Sequence, residues 1–375
     1  IEKPFSAVVK DVPIPKIKDD ELLIKVNCCG VCGTDVHIFK GEYLGSYPII
    51  PGHEFSGIVE RVGSKVSRFQ VGDHVVVEPN ISCDNCNACL NNRQNFCEHW
   101  NGVGVTLPGG MAEYAVAPEK AVFSIGSISL EDGAFVEPLS CVLHGIERTH
   151  IELADNVLIL GAGPIGMLLC QMVRIQGAAT ITQVDRNLAR LDVVRGLGAS
   201  RVESSLEAIP TDYYDVVIDA SGSTFLMEES IKYVRKGGVV LLFGVPQKDA
   251  ILRLPAFTIF EKGLTFLSSY TSVRNSIQAI RLLESRSIDV RKLISHRLKL
   301  DEFEKAVEIL DKGSENVLKV MMVPYREGDC DEKICRKDNP CHRGSWGHRA
   351  CDGEEFCFRR GEHRTCRYQR YGWGG

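Results

Sequence analysis

The chain has 375 residues, 44% hydrophobic and 25% charged, which is enough for about two domains with a core each. Its formal net charge of -5 gives no electrostatic reason for a nucleic acid or an anionic membrane as partner. No apolar run approaches the ~20 residues that cross a bilayer, and the opening IEKPFSAVVK lacks the apolar stretch of a signal peptide. We therefore expect a soluble, cytoplasmic protein.

Residues 1 to about 140 consist of short segments typical of strands, separated by turns. The segments are ELLIKVNCCGVCG, HEFSGIVERVGSKV, VGDHVVVEPN and GGMAEYAVAPEKAV, with Gly and Pro between them. This pattern predicts a small β-barrel.

From Val157 the pattern changes to strand, glycine-rich turn, helix, strand. The strands in VLILGAGPIG, ITQVD, YDVVIDASG and GGVVLLFGV are continuously apolar, as in a parallel sheet covered by helices on both faces. SVRNSIQAIRLLESRS and LKLDEFEKAVEILDKG then predict two amphipathic helices, and NVLKVMMVP predicts a closing strand. The predicted fold class is α/β, with a doubly wound parallel sheet beside the barrel.

The turn after the strand VLIL has the pattern expected for binding a dinucleotide. Glycines allow a tight turn and a close approach of the pyrophosphate to the N–H groups that begin a helix. An acidic residue should follow about twenty residues later to accept the ribose hydroxyls, and Asp185 ends the next strand. Asp185 favours NAD over NADP because a carboxylate repels a 2′-phosphate, although the adjacent Arg186 weakens that preference. The competing interpretation is a glycine-rich turn that binds nothing. The candidate cofactor residues are Gly161, Gly163, Pro164, Ile165, Gly166, Asp185 and Arg186.

Potential ligands of a catalytic zinc ion lie in two segments of the barrel region. GVCGTDVHIF supplies Cys32 and His37, and PGHEFSG supplies His53 and Glu54. Thiolate, imidazole and carboxylate are the ligands of catalytic zinc, which leaves one position open. Single cysteines are more often packed in a core, which is our interpretation of four others. These are Cys28, Cys29, Cys141 and Cys170.

Four further cysteines lie within fifteen residues: Cys83, Cys86, Cys89 and Cys97. This spacing can surround one ion tetrahedrally and leave no position for a substrate, which is typical of a structural zinc site. Disulfides are the competing interpretation, but cysteines two residues apart are poorly placed to pair in a reducing cytosol. Iron–sulfur ligation is a weaker alternative.

Taken together, these segments resemble the zinc-dependent medium-chain dehydrogenases, the superfamily of alcohol, polyol and threonine dehydrogenases. The similarity rests on GVCGTDVHI, PGHEFSGIVERVG, the four-cysteine segment, FVEPLSCVLHG and LILGAGPIG, in order, up to about Pro324. It implies a GroES-like catalytic barrel over 1–138, a Rossmann domain over 139–271 and a return to the catalytic domain over 272–324. Residues 325–375 would form a separate Cys-rich tail, fused or disulfide-rich.

The resemblance also implies the roles of individual residues. Cys32 and His53 match zinc ligands, Glu54 matches a carboxylate that binds the metal or supports it, and Glu137 in FVEPLS matches a further metal-site glutamate of the polyol and threonine branches. Thr34 matches the hydroxyl that bonds the substrate oxygen, and His37 matches the histidine that passes its proton to solvent. The competing interpretation of Thr34 and His37 is a buried Thr and a surface His. Asp35 resembles a residue that orients a ligand histidine.

The implied function is zinc-dependent transfer of a hydride between a secondary alcohol and NAD, with polyols and sugar alcohols favoured because of Glu137. L-Threonine is the alternative substrate. A different class of function is an inactive dehydrogenase scaffold that displays the Cys-rich tail to a partner. The resemblance also implies a homo-oligomer, either a tetramer or a dimer, and a small-molecule alcohol as partner.

The two ends of the chain depart from the family pattern. Family members usually open with a strand that precedes the segment resembling SAVVKDVPIP, so we expect an exposed barrel edge here. The tail resembles no family we recognise; its composition is typical of a small disulfide scaffold, and a Cys/His zinc site is an alternative. Its cysteines and histidines are Cys330, Cys335, Cys341, Cys351, Cys357, Cys366, His342, His348 and His363.

Overall fold

The computed structural model describes residues 1–43, 46–313 and 316–324, all within one compact unit. The predictions made for the tail, including its disulfides and its Cys/His zinc site, concern residues 325–375 and lie outside the described residues. Within the described part of the chain, no helix is both long enough and apolar enough to span a membrane.

The described residues form two large sheets, a separate two-stranded sheet and the helices around them. The strands are β1 (Glu21–Gly30), β2 (Glu54–Val62), β3 (His74–Val77), β4 (Asn80–Ile81), β5 (Asn101–Gly102), β6 (Tyr114–Pro118), β7 (Val122–Ser124), β8 (Asn156–Leu160), β9 (Thr180–Val184), β10 (Arg201–Glu203), β11 (Tyr214–Asp219), β12 (Val234–Leu242), β13 (Thr265–Ser268), β14 (Ile294–Leu298) and β15 (Lys319–Met322). The α-helices are α1 (Gly33–Lys40), α2 (Asn87–Leu90), α3 (Leu130–Gly133), α4 (Val136–Thr149), α5 (Pro164–Ile175), α6 (Leu188–Leu197), α7 (Thr224–Tyr233), α8 (Ala256–Lys262), α9 (Ser276–Glu284) and α10 (Phe303–Lys312).

The first sheet is built around β1. Its order is β14-β15-β1-β2-β3-β7, and β6 pairs with the first half of β1. The strands β2 and β6 run antiparallel to β1, and the register places Gly30 opposite Glu54. Because β15 also pairs with the end of β1, the last described strand lies beside the segment that leads into α1.

The second sheet is parallel and has the order β10-β9-β8-β11-β12-β13. Its central strand β8 is inaccessible to solvent from Val157 to Leu160, because helices cover both faces. Helix α5 connects β8 to β9, and α6 connects β9 to β10, as the continuous apolar strands predicted. The predicted fold class, a barrel combined with a doubly wound parallel sheet, is confirmed.

Helix α4 joins the two sheets in sequence and is buried along most of its length. It packs against α5 and α9, and its apolar side chains belong to one large core that also includes residues of β8 and β11. The barrel has a second core, and the opposite face of the parallel sheet has a third. The start of α4, which carries Glu137, is thereby fixed between the barrel and the parallel sheet.

The segment that precedes β1 is extended and is not assigned to a strand over residues 7–18. Its aliphatic side chains Val8, Val9, Val12 and Ile14 are all more than half exposed. This exposure leaves an apolar strip on the surface next to the barrel.

Candidate active site and metal centres

Three predicted zinc ligands converge at the end of β1. One ligand atom each from Cys32, His53 and Glu54 can be chosen so that all three lie within 4.8 Å of one another. His53 and Glu54 are buried, and Cys32 is half-buried. A thiol, an imidazole and a carboxylate at this spacing fit the donor set and the size of a zinc ion.

Local backbone geometry brings these residues together. Cys32 immediately precedes the first turn of α1, whereas Glu54 begins β2 opposite Gly30. Gly30 is required because an added Cβ would lie 2.3 Å from Oε2 of Glu54. Gly52, before His53, has φ +96 and leaves no space for a side chain, since a Cβ would lie 2.6 Å from Sγ of Cys29.

Asp35 is fully buried and lies beside the predicted ligand His53. Its Oδ1 lies 3.7 Å from Nδ1 of His53, which is beyond hydrogen-bond distance, and that nitrogen has no hydrogen-bond partner among the described residues. The carboxylate instead accepts hydrogen bonds from the amides of Cys32, at 2.8 Å, and Gly52, at 3.0 Å. Asp35 therefore ties together the two backbone segments that carry the ligands. Burial raises its pKa.

Lys319 of β15 forms a buried ion pair with Glu54. Its Nζ donates to both carboxylate oxygens, at 2.6 and 2.9 Å. Burial is the largest single influence on the pKa of Lys319 and would lower it, but the charges of Glu54, Cys32 and Glu137 and the hydrogen bond to Glu54 together raise that pKa. The charge of Glu54 is thus balanced within the protein.

Glu137 lies in the first turn of α4, outside the cluster of three ligand atoms. Burial raises its pKa to about 7; the charge of His53 opposes this shift, and the charges of Glu54 and Glu78 add to it. Cys141 was expected to be a core residue. It is instead half-buried, and its Sγ donates to Oε1 of Glu137 at 3.3 Å, because the two residues are one helical turn apart.

Thr34 and His37 are three residues apart on α1, so they lie on one face of that helix. Both side chains are half-buried. Nδ1 of His37 lies 2.7 Å from Oε2 of Glu42, whose side chain is half exposed. This contact gives the histidine a polar connection to the surface.

Cys83, Cys86, Cys89 and Cys97 form a second cluster, around α2. Three of their Sγ–Sγ separations are 4.0, 3.4 and 3.9 Å. Four sulfurs around one zinc ion at ~2.3 Å stand about 3.7 Å apart, whereas a disulfide needs ~2.0 Å. The four-sulfur geometry fits zinc, and these cysteines are free thiols in the structure.

The glycine turn after β8 has the geometry that a dinucleotide requires. Gly161 has φ +110, and Gly163 is the N-cap of α5, which begins at Pro164 and Ile165. A Cβ at Gly163 would meet no atom within 4 Å, so the space in front of the helix is open. A Cβ at Gly166 would lie 2.2 Å from the carbonyl oxygen of Gly161, so this glycine allows close packing of helix and strand.

Asp185 follows β9 and faces this turn. It accepts hydrogen bonds from the amides of Ala162, at 2.7 Å, and Asn187, at 2.8 Å, and its carboxylate retains lone pairs for a ribose hydroxyl. Arg186 is exposed. Nη1 of Arg190 lies 4.0 Å from Oδ2 of Asp185, and Arg190 also donates to the carbonyl of Val317.

Lys319, Glu42 and Arg190 were not identified from the sequence. A single lysine within the apolar run NVLKVMMVP is a signal of a buried charge that needs a partner. Glu42 and Arg190 carry no comparable signal, because exposed acidic and basic residues are common on helices and loops.

Two family models match the chain. The model described as the alcohol dehydrogenase GroES-like domain matches residues 18–127, and the model described as the glucose dehydrogenase C-terminus matches residues 131–321. Together they cover both sheets and each of the candidate sites.

Individual relatives agree with these models. D-arabinitol dehydrogenase 1 of Uromyces fabae is 34% identical over 86% of this chain and 95% of its own length. D-altritol 5-dehydrogenase of Agrobacterium fabrum is 36% identical over 79% of this chain and 90% of its own. A solved structure of a zinc-binding dehydrogenase from Sinorhizobium meliloti, bound to NADP, has a TM-score of 0.81 and 32% identity, and the match covers 86% of this chain and 97% of that one. The chain therefore belongs to the zinc-type medium-chain alcohol dehydrogenase family, oxidoreductases that work with zinc and a nicotinamide cofactor.

Proposed function

We propose that this chain oxidises a secondary hydroxyl group of a polyol or sugar alcohol, with NAD as the hydride acceptor. The observation that carries the proposal is the convergence of Cys32, His53 and Glu54 in the same compact unit as an open glycine turn. The dehydrogenases of arabinitol and altritol named above support a polyhydroxylated substrate.

Cys32, His53 and Glu54 would hold the catalytic zinc, with Glu137 at the margin of the site. Bound zinc supplies a Lewis acid that lowers the pKa of an alcohol, and bound nicotinamide supplies the acceptor for the hydride. The chain's own contribution begins with the ion pair to Lys319, which fixes the direction of the Glu54 carboxylate.

Thr34 and His37 would carry the proton away from the substrate hydroxyl. The Thr34 hydroxyl would accept that proton and pass its own towards His37, one helical turn further on. His37 would release the proton to Glu42 and then to solvent. The contact between Nδ1 of His37 and Oε2 of Glu42 supports this direction of transfer.

Gly161, Gly163, Pro164, Ile165 and Gly166 would hold the pyrophosphate at the start of α5. Asp185 would accept the ribose hydroxyls, which supports NAD as the preferred cofactor because its carboxylate would repel a 2′-phosphate. Arg186 is exposed beside Asp185, so it weakens the preference for NAD without reversing it. Arg190 donates to the carbonyl of Val317.

Cys83, Cys86, Cys89 and Cys97 would hold a structural zinc ion. We further infer that the protein is a homo-oligomer. The support is an apolar surface around Phe257 and Phe260 of α8, which are 73% and 82% exposed, next to the edge strand β13.

The test combines metal analysis with an assay of cofactor reduction. We expect two zinc ions per chain, reduction of NAD with D-arabinitol or a related polyol, and a rate at least tenfold lower with NADP. Cys32→Ser should lose one zinc ion and this activity, while the control Cys170→Ala, in the core of α5, should keep both. Metal-loaded protein that reduces neither cofactor with any alcohol would contradict the proposal.

The same assay separates the alternatives. Preferential turnover of L-threonine would assign the chain to the threonine branch. A chain ended after Pro324 should keep its activity if the dehydrogenase is the functional part. Loss of a partner upon that truncation, in a protein without dehydrogenase activity, would favour the scaffold function.

A further inference from the structure

Gln183 of β9 is a polar residue buried within the parallel sheet. Its side chain is inaccessible to solvent, and the register of the strands places it between Ile159 of β8 and Val202 of β10. Its Oε1 has no hydrogen-bond partner among the described residues. A buried acceptor without a donor is unfavourable, so an aliphatic side chain would suit this position better for stability alone.

The other polar atom of Gln183 bonds the glycine turn after β8. Its Nε2 donates to the carbonyl oxygen of Gly161 at 2.8 Å. This orientation of the amide is the one that fits, because a reversed amide would bring Oε1 against the carbonyl oxygen of Gly161. The same nitrogen lies close to α5, since a Cβ at Gly166 would come within 2.9 Å of it. Gln183 therefore lies against both the first and the last glycine of the turn.

Asp185 holds the other side of the same peptide group. It accepts a hydrogen bond from the amide of Ala162 at 2.7 Å. The Gly161 carbonyl and the Ala162 amide belong to one planar peptide group, in which the C=O and N–H bonds point in opposite directions. Because Asp185 follows Gln183 by two residues, both side chains reach the turn from one face of the strand. The Gly161–Ala162 peptide group is thus held at both ends.

This peptide group needs both contacts, because glycine leaves it free to rotate. Gly161 has φ +110 and no Cβ to restrict its other dihedral angle. If the peptide group turned over, the carbonyl oxygen of Gly161 would face the carboxylate of Asp185, and the amide of Ala162 would lose its acceptor. A turn that samples this second orientation loses more conformational entropy when it binds a pyrophosphate than a fixed turn does.

We propose that Gln183 is a positioning residue for the cofactor: by bonding the Gly161 carbonyl, it fixes the Gly161–Ala162 peptide group in the orientation that receives the pyrophosphate and keeps Asp185 aligned for the ribose. Gln183 is buried and acts only through that peptide group. The inference rests on the proposed function, because it assumes that the glycine turn binds the pyrophosphate of NAD. It explains a polar side chain at a position where the sheet favours an aliphatic one.

Gln183→Met keeps the length of the side chain and removes both polar atoms. We expect the dissociation constant for NADH, measured by fluorescence titration, to rise about threefold to tenfold, the usual effect of one hydrogen bond. The melting temperature should change little, because the substitution removes an unpaired acceptor as well as the bond to Gly161. An NADH affinity equal to that of the unaltered protein would overturn the positioning role.

Gln171→Met is the matched control, because Gln171 is also buried but bonds the segment that precedes β14. Its Nε2 donates to the carbonyl of Asp289 at 3.1 Å, and its Oε1 accepts from the amide of Asp289 at 2.7 Å. This variant should have a lower melting temperature, because it loses two hydrogen bonds, and an unchanged affinity for NADH. Equal NADH affinities in Gln183→Met and Gln171→Met would refute a specific role for Gln183.

Hydrogen exchange followed by mass spectrometry tests the turn without any cofactor. The peptide that contains Ala162 should exchange faster in Gln183→Met than in the unaltered protein, because the Ala162 amide is then held less firmly against Asp185. Gln171→Met should leave the exchange of this peptide unchanged. Equal exchange in Gln183→Met and the unaltered protein would contradict the hold of Gln183 on the peptide group.

These measurements separate the failure of this inference from that of the proposed function. If the unaltered protein binds NADH and Gln183→Met binds it equally well, the positioning role alone fails. If the unaltered protein binds neither NADH nor NADPH, the proposed function fails and the positioning role fails with it, whatever the exchange rate of the Ala162 amide.

Discussion

Glu54 and Lys319 form a buried ion pair at the candidate catalytic site. Both side chains are almost inaccessible to solvent, at 2% and 5%. A buried charge without its partner is costly, because the protein interior replaces only part of the lost hydration. Lys319 therefore supports Glu54, which we propose as a zinc ligand.

Lys319→Met should destabilise the chelator-treated protein by about 3–5 kcal/mol, since it leaves the Glu54 carboxylate buried and unpaired. Adding Glu54→Gln to this variant should recover a large part of the loss. Urea unfolding measures both effects. Lys65→Met, which breaks an exposed pair with Asp19, should change the free energy of unfolding by at most about 1 kcal/mol. Equal losses for Lys319→Met and Lys65→Met would contradict this account.

The sequence identified candidate residues where their spacing was short or where a family motif marked them. The four cysteines lie within one short segment, and Cys32, Thr34 and His37 share one helix. Lys319 is 265 positions from Glu54, so no local pattern joins them. The hydrogen bond from the amide of Gly52 to Asp35 was not predictable for a related reason, because the two residues are 17 positions apart.

In the β8–turn–α5 unit, one glycine can be tested for its contribution to folding and another for its contribution to cofactor binding. Gly166 packs against the backbone, whereas Gly163 faces open space in an extended conformation that any residue can adopt. The two glycines therefore serve different purposes within six residues of sequence.

Gly163→Ala should leave the melting temperature nearly unchanged and weaken NADH binding by about tenfold or more, because the methyl group occupies the approach of the pyrophosphate. Gly166→Ala should instead lower the free energy of unfolding by about 1–3 kcal/mol, because its Cβ meets the Gly161 carbonyl. Fluorescence titration with NADH and thermal unfolding distinguish the two. Gly196→Ala, on α6 with no atom within 4 Å of its Cβ, is the control and should stabilise the helix slightly. Unchanged NADH affinity in Gly163→Ala would refute the binding site.

The strands of the parallel sheet were predictable from their continuous apolar runs. The helices around it were predictable from their amphipathic periodicity. The contacts of residues 270–275, between β13 and α9, were not predictable, because they join segments that are distant in sequence. Left-handed φ values at Thr271 and Arg274 carry no sequence signal, since neither residue type favours them.

At the scale of the whole molecule, Phe257 and Phe260 of α8 form an exposed aromatic surface in the part of the chain that the structure describes. Phe257 and Phe260 are in contact with each other, with ring centroids 6.4 Å apart, and strand β13 has a free edge in the described sheet. An exposed edge with adjacent aromatic residues is a surface that proteins normally cover.

Phe260→Glu should therefore lower the molecular mass in solution, measured by light scattering after size exclusion, towards that of one chain. Burying a carboxylate in an apolar contact costs several kcal/mol, enough to dissociate an interface of moderate affinity. Leu153→Glu, at an 82% exposed position elsewhere, should leave the mass unchanged. If both variants have the mass of the unaltered protein, a different surface mediates assembly.

The two-sheet architecture was accessible from the sequence because the strand pattern changes from short alternating segments to continuous apolar ones. The return of the chain to the first sheet was inferred from the family resemblance, because no residue pattern in β14 or β15 indicates which strand each of them pairs with. The pairing of β15 with the end of β1 depends on contacts nearly 300 residues apart, which a single sequence does not encode locally.

The carboxylate of Asp35 has a final consequence for the zinc site that we propose. By bonding the amides of both Cys32 and Gly52, it holds together the two backbone segments that carry the proposed sulfur and nitrogen donors. A zinc ion would meet donors that are already close together, so little conformational entropy would be lost when it binds.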